Sequence, residues 1–430
     1  MSAATTPALV RVTLVRVMMY SNIFYTSEKL TLERFTWITE LLKLYCTRHY
    51  PESLHHHPRT PVPGFSLFLS NDACYCLVDH RLSKLWDILF RLPHVRFIFD
   101  SRDLLTRGIS IEPFSRRSPD QIVCAGSGTS GTGSSFAEIL LKATQQETKD
   151  RCLGFLQCAS PYLNTSPSTI IDLFHAAVGK KISPELYGFL DGVYLMHHDQ
   201  RPTMTVNAGD MLLKVNEAAQ KKGLSPLFLV CSRSAASRGF ATFTGNKGKV
   251  ISSCTIPPAR IWDISQIASR LCRIHPVLSH SACAIQLPRN LKVPEIRSPG
   301  HSDHPSLVVL VTHPPYGNEM AFGALTFALA CSHLGIFTRV VFMEDGIYSL
   351  SGHHKLSDTD PVLNIQSVIT ATNGTGNLEY YAYTPSFRER GLSGSPACKG
   401  VQMVDPAMLS QIFFKAPGGI LTDYQRVLLF

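Results

Sequence analysis

The chain has 430 residues, of which 44% are hydrophobic and 17% are charged, and this composition excludes a disordered chain, a coiled coil and a single small module. Its 41 basic and 32 acidic residues give a net charge of +9, and because the basic residues are scattered, we expect no direct binding of nucleic acid. Twelve cysteines are too few for a disulfide framework, which indicates mostly reduced thiols.

The first part of the chain bears on its location. Residues 1–27 carry Arg11 and Arg16 but no acidic residue, which is typical of a mitochondrial transit segment. The apolar alternation at residues 10–17 favours a first β-strand instead, so we expect a cytoplasmic protein and keep the mitochondrial matrix as the alternative. Residues 321–342 are apolar but interrupted by polar side chains, and they predict a buried helix followed by a strand rather than a membrane span.

Two short patterns recur in the same order along the chain. The first pattern is an apolar run, an acidic turn and a tyrosine, at residues 65–75, 186–194 and 340–348. The second pattern is an apolar strand that leads into a polar helix and ends in Arg-Gly, at residues 95–108, 227–239 and 380–391. Strands that alternate with helices are typical of parallel sheets with helices on both faces. The predicted fold class is therefore α/β, with three tandem three-layer α/β/α units and mainly parallel sheets.

The boundaries between these units are predicted where the composition changes. Residues 115–150 contain a Gly/Ser/Thr-rich run and predict a linker and a helix, and residues 287–305, rich in Pro, Arg, Ser and His, predict a second linker. The units themselves are then predicted at residues 8–114, 151–286 and 306–430.

Cys231 is the strongest candidate for chemistry. It follows the apolar strand at 227–230 and precedes a polar helix, and the carboxyl ends of parallel strands are where ligand sites form. A thiol beside a helix N-terminus meets unpaired backbone N–H groups, which favour the thiolate, and Arg233 and Arg238 add positive charge. The sequence therefore predicts a reactive, accessible thiol at Cys231 with two supporting arginines.

These residues carry a family resemblance. The Asp-Gly-Val-Tyr turn at 191–194, followed by Val-Cys-Ser-Arg-Ser-Ala-Ala-Ser-Arg-Gly at 230–239, resembles the DsrE/TusD type of sulfur-relay protein. Pro-Tyr-Gly-Asn-Glu at 315–319, Glu-Asp-Gly-Ile-Tyr at 344–348 and Ser-Phe-Arg-Glu-Arg-Gly at 386–391 resemble the DsrE/DsrF side of the same superfamily. The first unit is the weakest match. It is assigned a DsrH/TusB-like role only because the chain has three units and the other two resemble the other members of the superfamily.

The resemblance implies sulfur transfer, in which a cysteine accepts sulfane sulfur from a donor protein as a persulfide and passes it to an acceptor protein. It implies either tRNA thiolation or sulfur oxidation as the pathway, and no residue decides between them. Related subunits form heterohexamers of three chains, each present twice. A homodimer of this three-unit chain would mimic such a hexamer.

Only one of the three units has a cysteine at the position of the sulfur carrier. Eight residues before the Arg-Gly glycine stand Asp100, Cys231 and Tyr383, and only the cysteine is a sulfur nucleophile. Cys158 ends the first strand of the second unit and is a candidate second thiol. Asp191 and Tyr194 are expected to shape the turn of that unit, with the glycine between them permitting its backbone conformation.

Metal and cofactor sites are not predicted. The clustered histidines at 55–57, 197–198 and 353–354 lack the i, i+4 spacing of a helical zinc motif, and no Cys-x-x-Cys accompanies them. Residues 126–131 match Gly-x-Gly-x-x-Gly, but no clear second strand with a terminal acidic residue follows. Two alternatives to a sulfur carrier stay open: a non-catalytic docking protein, and a nucleotide-binding enzyme that uses the segment from Gly126 to Gly131.

Overall fold

The computed structural model describes most of the chain between residues 21 and 430. The described residues are 21–49, 64–92, 94–126, 134–144, 151–162, 167–203, 206–239, 241–244, 249–252, 254–273, 277–279, 306–355, 363–392, 396, 398–414 and 425–430. The strand predicted at 10–17 and the linker predicted at 287–305 lie outside these residues.

The first sheet has four parallel strands in the order β1-β2-β3-β4. Its strands are β1 (Ser21–Thr26), β2 (Gly64–Leu69), β3 (Val95–Asp100) and β4 (Ile122–Ala125). Its helices are α1 (Leu32–His49), α2 (Ser83–Leu89), α3 (Ser101–Thr106), α4 (Glu112–Arg117) and α5 (Phe136–Thr144), with 3₁₀ helices at Asn71–Leu77 and His80–Leu82. The segment 115–150 thus contains β4, which pairs with β3, and α5.

The second sheet has five parallel strands in the order β10-β7-β6-β5-β11. Its strands are β5 (Cys152–Gln157), β6 (Ser183–Gly188), β7 (Leu227–Cys231), β10 (Ala259–Trp262) and β11 (Val277–Ser279), and β8 (Thr242–Thr244) and β9 (Lys249–Ile251) form a separate antiparallel pair. Its helices are α6 (Ser168–Gly179), α7 (Ala208–Gln220), α8 (Ser232–Ser237) and α9 (Ile264–Arg273), with a 3₁₀ helix at Leu190–Met196.

The third sheet repeats this order as β15-β14-β13-β12-β16, again with all strands parallel. Its strands are β12 (Ser306–Val311), β13 (Phe337–Phe342), β14 (Leu378–Tyr383), β15 (Gln402–Val404) and β16 (Gln425–Leu429). Its helices are α10 (Met320–His333), α11 (Ile365–Thr372), α12 (Thr384–Glu389) and α13 (Pro406–Phe414), with a 3₁₀ helix at Glu344–Leu350.

The predicted α/β class is confirmed. The central strands are buried throughout, as in β2 and β12, because helices cover the sheets, and this burial explains their continuous apolar runs. We refer to each sheet and the helices along its stretch of chain as a subdomain: residues 21–144, 151–279 and 306–430.

Three helix pairs join the subdomains to one another. The helix that follows the first strand of one subdomain packs against the last helix of another, in the pairs α1 with α13, α6 with α5 and α10 with α9. Each subdomain contributes one helix of each kind, so each contacts both of the others. The interfaces are rich in aromatic contacts, among them Trp37 stacked on Phe413 and the tilted rings of Phe189 and Phe327.

Candidate functional site

The recurring acidic motif forms the same structure in each subdomain. After the second strand, a 3₁₀ helix begins at a non-glycine residue in the left-handed region, and these residues are Asn71, Leu190 and Glu344 with φ of 48°, 51° and 50°. We call the three 3₁₀ helices, Asn71–Leu77, Leu190–Met196 and Glu344–Leu350, the acidic turns. The N–H of each first residue donates to a side chain in the short helix after the third strand: Asp103 Oδ2 at 2.7 Å, Ser234 Oγ at 3.0 Å and Ser386 Oγ at 2.9 Å.

The glycines of the acidic turns serve close packing rather than an unusual φ. Gly192 and Gly346 are absent from the residues with positive φ. A Cβ atom at either position would lie 1.8 Å from the carbonyl oxygen of Gln157 or 1.9 Å from that of Val311, at the end of the first strand. The expectation that glycine permits the backbone conformation of the turn was therefore wrong, since the left-handed residue is the one two positions earlier.

The arginine of each Arg-Gly pair binds the aspartate of its own acidic turn. The ion pairs are Arg107 with Asp72 at 2.9 Å, Arg238 with Asp191 at 2.6 Å and Arg390 with Asp345 at 2.8 Å. The guanidinium groups of Arg107 and Arg390 also lie over the rings of Tyr75 and Tyr348, at 5.9 and 6.0 Å from the ring centroids. The two sequence patterns recur together because their charged residues meet in space.

Two of these arginines also connect subdomains. Arg238 binds Glu319 of the third subdomain at 2.7 Å, and Arg390 binds Glu33 of the first subdomain at 2.8 Å. The Arg238 side chain is only 9% exposed, and its guanidinium group binds both carboxylates. Arg233, the other predicted supporting residue, is exposed and lies over the ring of Phe322 in the third subdomain, 5.0 Å from its centroid.

Cys231 lies at the junction between strand and helix that its sequence context indicates. It is the last residue of β7 and the residue that precedes α8, and Asp100 and Tyr383 hold the same position before α3 and α12. Its exposed fraction is 0%, so the expectation of an accessible thiol is not met. The second acidic turn contacts both β7 and α8, which explains why the end of this strand is enclosed.

Cys158, the candidate second thiol, follows β5 and is also buried. Its carbonyl oxygen accepts a hydrogen bond from the N–H of Gly192 at 3.0 Å. Burial raises the pKa of the Cys158 thiol, and the nearby Glu28 and Cys231 raise it further. Cys158 therefore stays protonated at neutral pH, and it lies within electrostatic reach of Cys231.

Asp191 and Tyr194, predicted to shape the second acidic turn, both lie within it. The Asp191 side chain is 54% exposed and Tyr194 is 37% exposed. Asp191 thus reaches Arg238 from the solvent side of the turn. Cys231, Cys158, Asp191 and Tyr194 all stand at or just beyond the carboxyl ends of the strands of the second sheet, where parallel sheets place their sites.

A buried ionic cluster at the junction of the first and third subdomains had no signal in the sequence. Arg34 binds Glu344 with two hydrogen bonds of 2.9 Å, and it also binds Glu28 at 2.9 Å and Thr312 Oγ1 at 3.3 Å. The Trp37 ring N–H donates to Glu344 Oε1 at 3.0 Å. Sequence reasoning missed this cluster because Arg34 and Trp37 lie 310 and 307 residues from Glu344 along the chain and share no motif with it.

The described residues contain no group of three His, Cys, Asp or Glu side chains that could hold a metal ion. Within the same part of the chain, no helix is long and apolar enough to cross a membrane. The segment 126–131, considered for nucleotide binding, lies outside the described residues except for Gly126. A Cβ atom at Gly126 would lie 1.7 Å from Ser101 Oγ, so this glycine serves a close contact with α3.

One family model matches part of the chain. The sequence model of the DsrE/DsrF-like family matches residues 306–415. The matched residues make up most of the third subdomain. A solved structure, the ychN protein from E. coli, is 22% identical and covers 30% of this chain and 99% of its own, with a TM-score of 0.25. No curated protein matches the chain.

Proposed function

We propose that the protein is a sulfur-relay protein that carries sulfane sulfur as a persulfide on Cys231. The observation that carries this proposal is the comparison of the three equivalent strand ends, which hold Asp100, Cys231 and Tyr383. Only Cys231 can form a persulfide, so one subdomain is the carrier. The DsrE/DsrF-like match at residues 306–415 supports the same class of function.

The proposed chemistry is an exchange between persulfides. The Cys231 thiolate attacks the outer sulfur of a donor persulfide, a new S–S bond forms at Cys231, and the S–S bond of the donor breaks. The donor leaves as a thiolate that takes up the proton lost by Cys231, so no external oxidant or reductant is needed. The acceptor removes the sulfur by the same reaction in the opposite sense. Cys158 lies near Cys231 and is a candidate second thiol, which has to lose its proton before it can accept the sulfur.

Burial of Cys231 sets a condition on this chemistry. The Cys231 side chain has no exposed surface, so the donor sulfur reaches it only when the surrounding structure opens. The second acidic turn contacts β7 and α8, and we propose that it is the element that moves. It is held by Arg238, which links Asp191 to Glu319 of the third subdomain.

The partners of this reaction are proposed from the family resemblance. They are a sulfur-donor protein and a sulfur-acceptor protein, in tRNA thiolation or in sulfur oxidation, in the cytoplasm. We further propose that the three subdomains are copies of one DsrE-like unit, and that two chains associate to resemble a hexamer. The shared strand order of the sheets supports the first of these proposals.

The test of the carrier role is intact-mass spectrometry after incubation with a low-molecular-weight persulfide. One added sulfur atom increases the mass by about 32 Da. We expect this adduct in the wild type and in Cys124→Ser, which removes an exposed thiol of the first subdomain, and we expect its loss in Cys231→Ser. An adduct that persists in Cys231→Ser rejects the assignment.

A second candidate function is a non-catalytic docking protein, and the burial of Cys231 favours it. The engagement of Arg238 and Arg390 in contacts between subdomains favours it as well, since these motif residues then have a structural role. This candidate predicts no adduct on Cys231 in the native protein. It also predicts that Cys231→Ser retains every partner that the wild type retains in a pull-down.

A further inference from the structure

The second subdomain contains an open pocket that the proposed sulfur chemistry does not use. It has a volume of about 650 Å³ and lies between the loop after β5 and the segment after the second acidic turn. This is the carboxyl side of a parallel sheet, and the volume falls in the range of pockets for small organic ligands. Its wall includes Tyr162, Tyr194, His197, Gln200 and Arg201.

Hydrogen bonds fix one wall of the pocket. The Tyr162 hydroxyl donates to Gln200 Oε1 and accepts from the N–H of Ala208 at 2.8 Å. Gln200 Nε2 in turn donates to the carbonyl oxygens of Leu195 at 2.9 Å and His197 at 2.7 Å. The wall is therefore arranged before any ligand arrives, which reduces the entropy lost on binding.

Several polar groups of the pocket lining can donate hydrogen bonds to an anion. No residue of the lining is an Asp or a Glu. Arg201 is exposed, and no carboxylate of the described residues forms an ion pair with it. His197 Nδ1 accepts the N–H of Asp199 at 3.1 Å, which leaves the ring proton on Nε2, and burial together with the neighbouring His198 lowers the pKa of His197. The carboxylate of Asp199 pairs with His198 at 3.4 Å rather than with the lining.

The remaining lining combines the hydroxyls of Ser160 and Thr203 with apolar surface from Pro161 and Pro202. Tyr162 and Tyr194 also line the pocket, and aromatic rings are able to stack on a planar ligand. A guanidinium binds a carboxylate or a phosphate with two parallel hydrogen bonds. We propose that this pocket binds a small organic anion, with its carboxylate or phosphate on Arg201 and a planar ring against the tyrosines.

The experiment is isothermal titration calorimetry on the full chain with two matched pairs of probes. Adenosine 5′-monophosphate is compared with adenosine, and indole-3-acetate with indole-3-ethanol, so each anion has a neutral counterpart of the same ring. We expect at least one anion to bind at least about tenfold more tightly than its neutral counterpart, because a charged hydrogen-bonded pair contributes more than a neutral one. The phosphate and carboxylate probes distinguish the two anion types.

Variants locate the binding. Arg201→Gln is expected to reduce the affinity for the anion to that for its neutral counterpart. Tyr194→Leu is expected to reduce the affinity for both the anion and the neutral probe. Arg151→Gln removes the same charge from an exposed arginine before β5, at the opposite end of the sheet, and is expected to leave affinity unchanged. Equal binding of anion and neutral probe, or equal loss in both arginine variants, overturns the proposal. Its outcome is distinguishable from that of the sulfur-carrier proposal, because the calorimetry measures ligand affinity and the mass spectrometry measures persulfide formation on Cys231.

Discussion

Arg34 and Glu344 form a two-pronged ion pair across the junction of the first and third subdomains. Both hydrogen bonds measure 2.9 Å, and the side chains are 7% and 8% exposed. Leu190 occupies the place of Glu344 in the second acidic turn and has nearly the same φ, 51° against 50°. The glutamate is therefore not required by the turn itself, and its role is the contact with Arg34 and Trp37.

Glu344→Leu is expected to destabilise the protein by about 3–5 kcal/mol, because it leaves a buried guanidinium without its main partner. The turn accepts leucine, as Leu190 demonstrates, so backbone strain does not contribute. The measurement is urea unfolding of the full chain. Arg34→Met in the Glu344→Leu background should recover most of the loss, and Glu112→Gln, which breaks an exposed pair with Arg116, should change stability by less than about 0.5 kcal/mol. A loss below about 1 kcal/mol for Glu344→Leu would contradict the assignment.

Gly346→Ala is expected to cost more than about 3 kcal/mol, because its Cβ would lie 1.9 Å from the backbone oxygen of Val311. Gly179→Ala, at the end of α6, is the matched control, since nothing lies within 4 Å of its Cβ. The control should be neutral or stabilising by up to about 1 kcal/mol. Thermal unfolding followed by circular dichroism measures both, and similar effects at the two sites would show that close packing is not the reason for Gly346.

Arg238→Gln is expected to destabilise the protein by about 1 kcal/mol, since the two carboxylates that it binds, Asp191 and Glu319, are about half exposed. Added salt at 1 M should reduce the difference from the wild type because it screens the exposed charges. Arg233→Gln removes the same charge from a residue with a single ring contact and should have the smaller effect. Unfolding by urea at low and high salt tests both expectations, and a loss that salt leaves unchanged would argue against an electrostatic role.

Asp103→Asn is expected to change how stability depends on pH. Burial raises the pKa of the Asp103 carboxyl above its ordinary value of 3.8. The native state therefore holds the proton of the Asp103 carboxyl more tightly than the unfolded state does. As the pH rises above 3.8 and through the raised pKa, this carboxyl loses its proton and the free energy of unfolding falls.

Asp103→Asn removes this dependence of stability on pH, because asparagine does not titrate. Its side-chain oxygen can still accept the hydrogen bond from the N–H of Asn71. Urea unfolding of the wild type and Asp103→Asn between pH 4 and 7 makes the comparison. We expect the variant to gain stability relative to the wild type as pH rises, and parallel curves would refute the raised pKa.

Much of the fold could be predicted because it rests on local patterns. The apolar runs that became β7 and β12 are continuous because helices cover both faces of their sheets, and the predicted helix and strand at 321–342 correspond to α10 and β13. The position of Cys231 at a strand end followed from the same patterns. The burial of Cys231 did not, because it depends on an acidic turn that begins 41 residues earlier, at Leu190, and packs over it.

By itself the sequence determined which residues form most of the strands and helices, and that acidic turns and Arg-Gly pairs recur in step with them. Only the tertiary structure decided that Arg238 forms ion pairs with Asp191 and Glu319, and that Arg34 forms one with Glu344. The physical reason is that hydrophobic periodicity is a property of neighbouring residues, whereas the partner of a buried charge is set by tertiary packing, which brings Glu344 to Arg34 across 310 residues of chain.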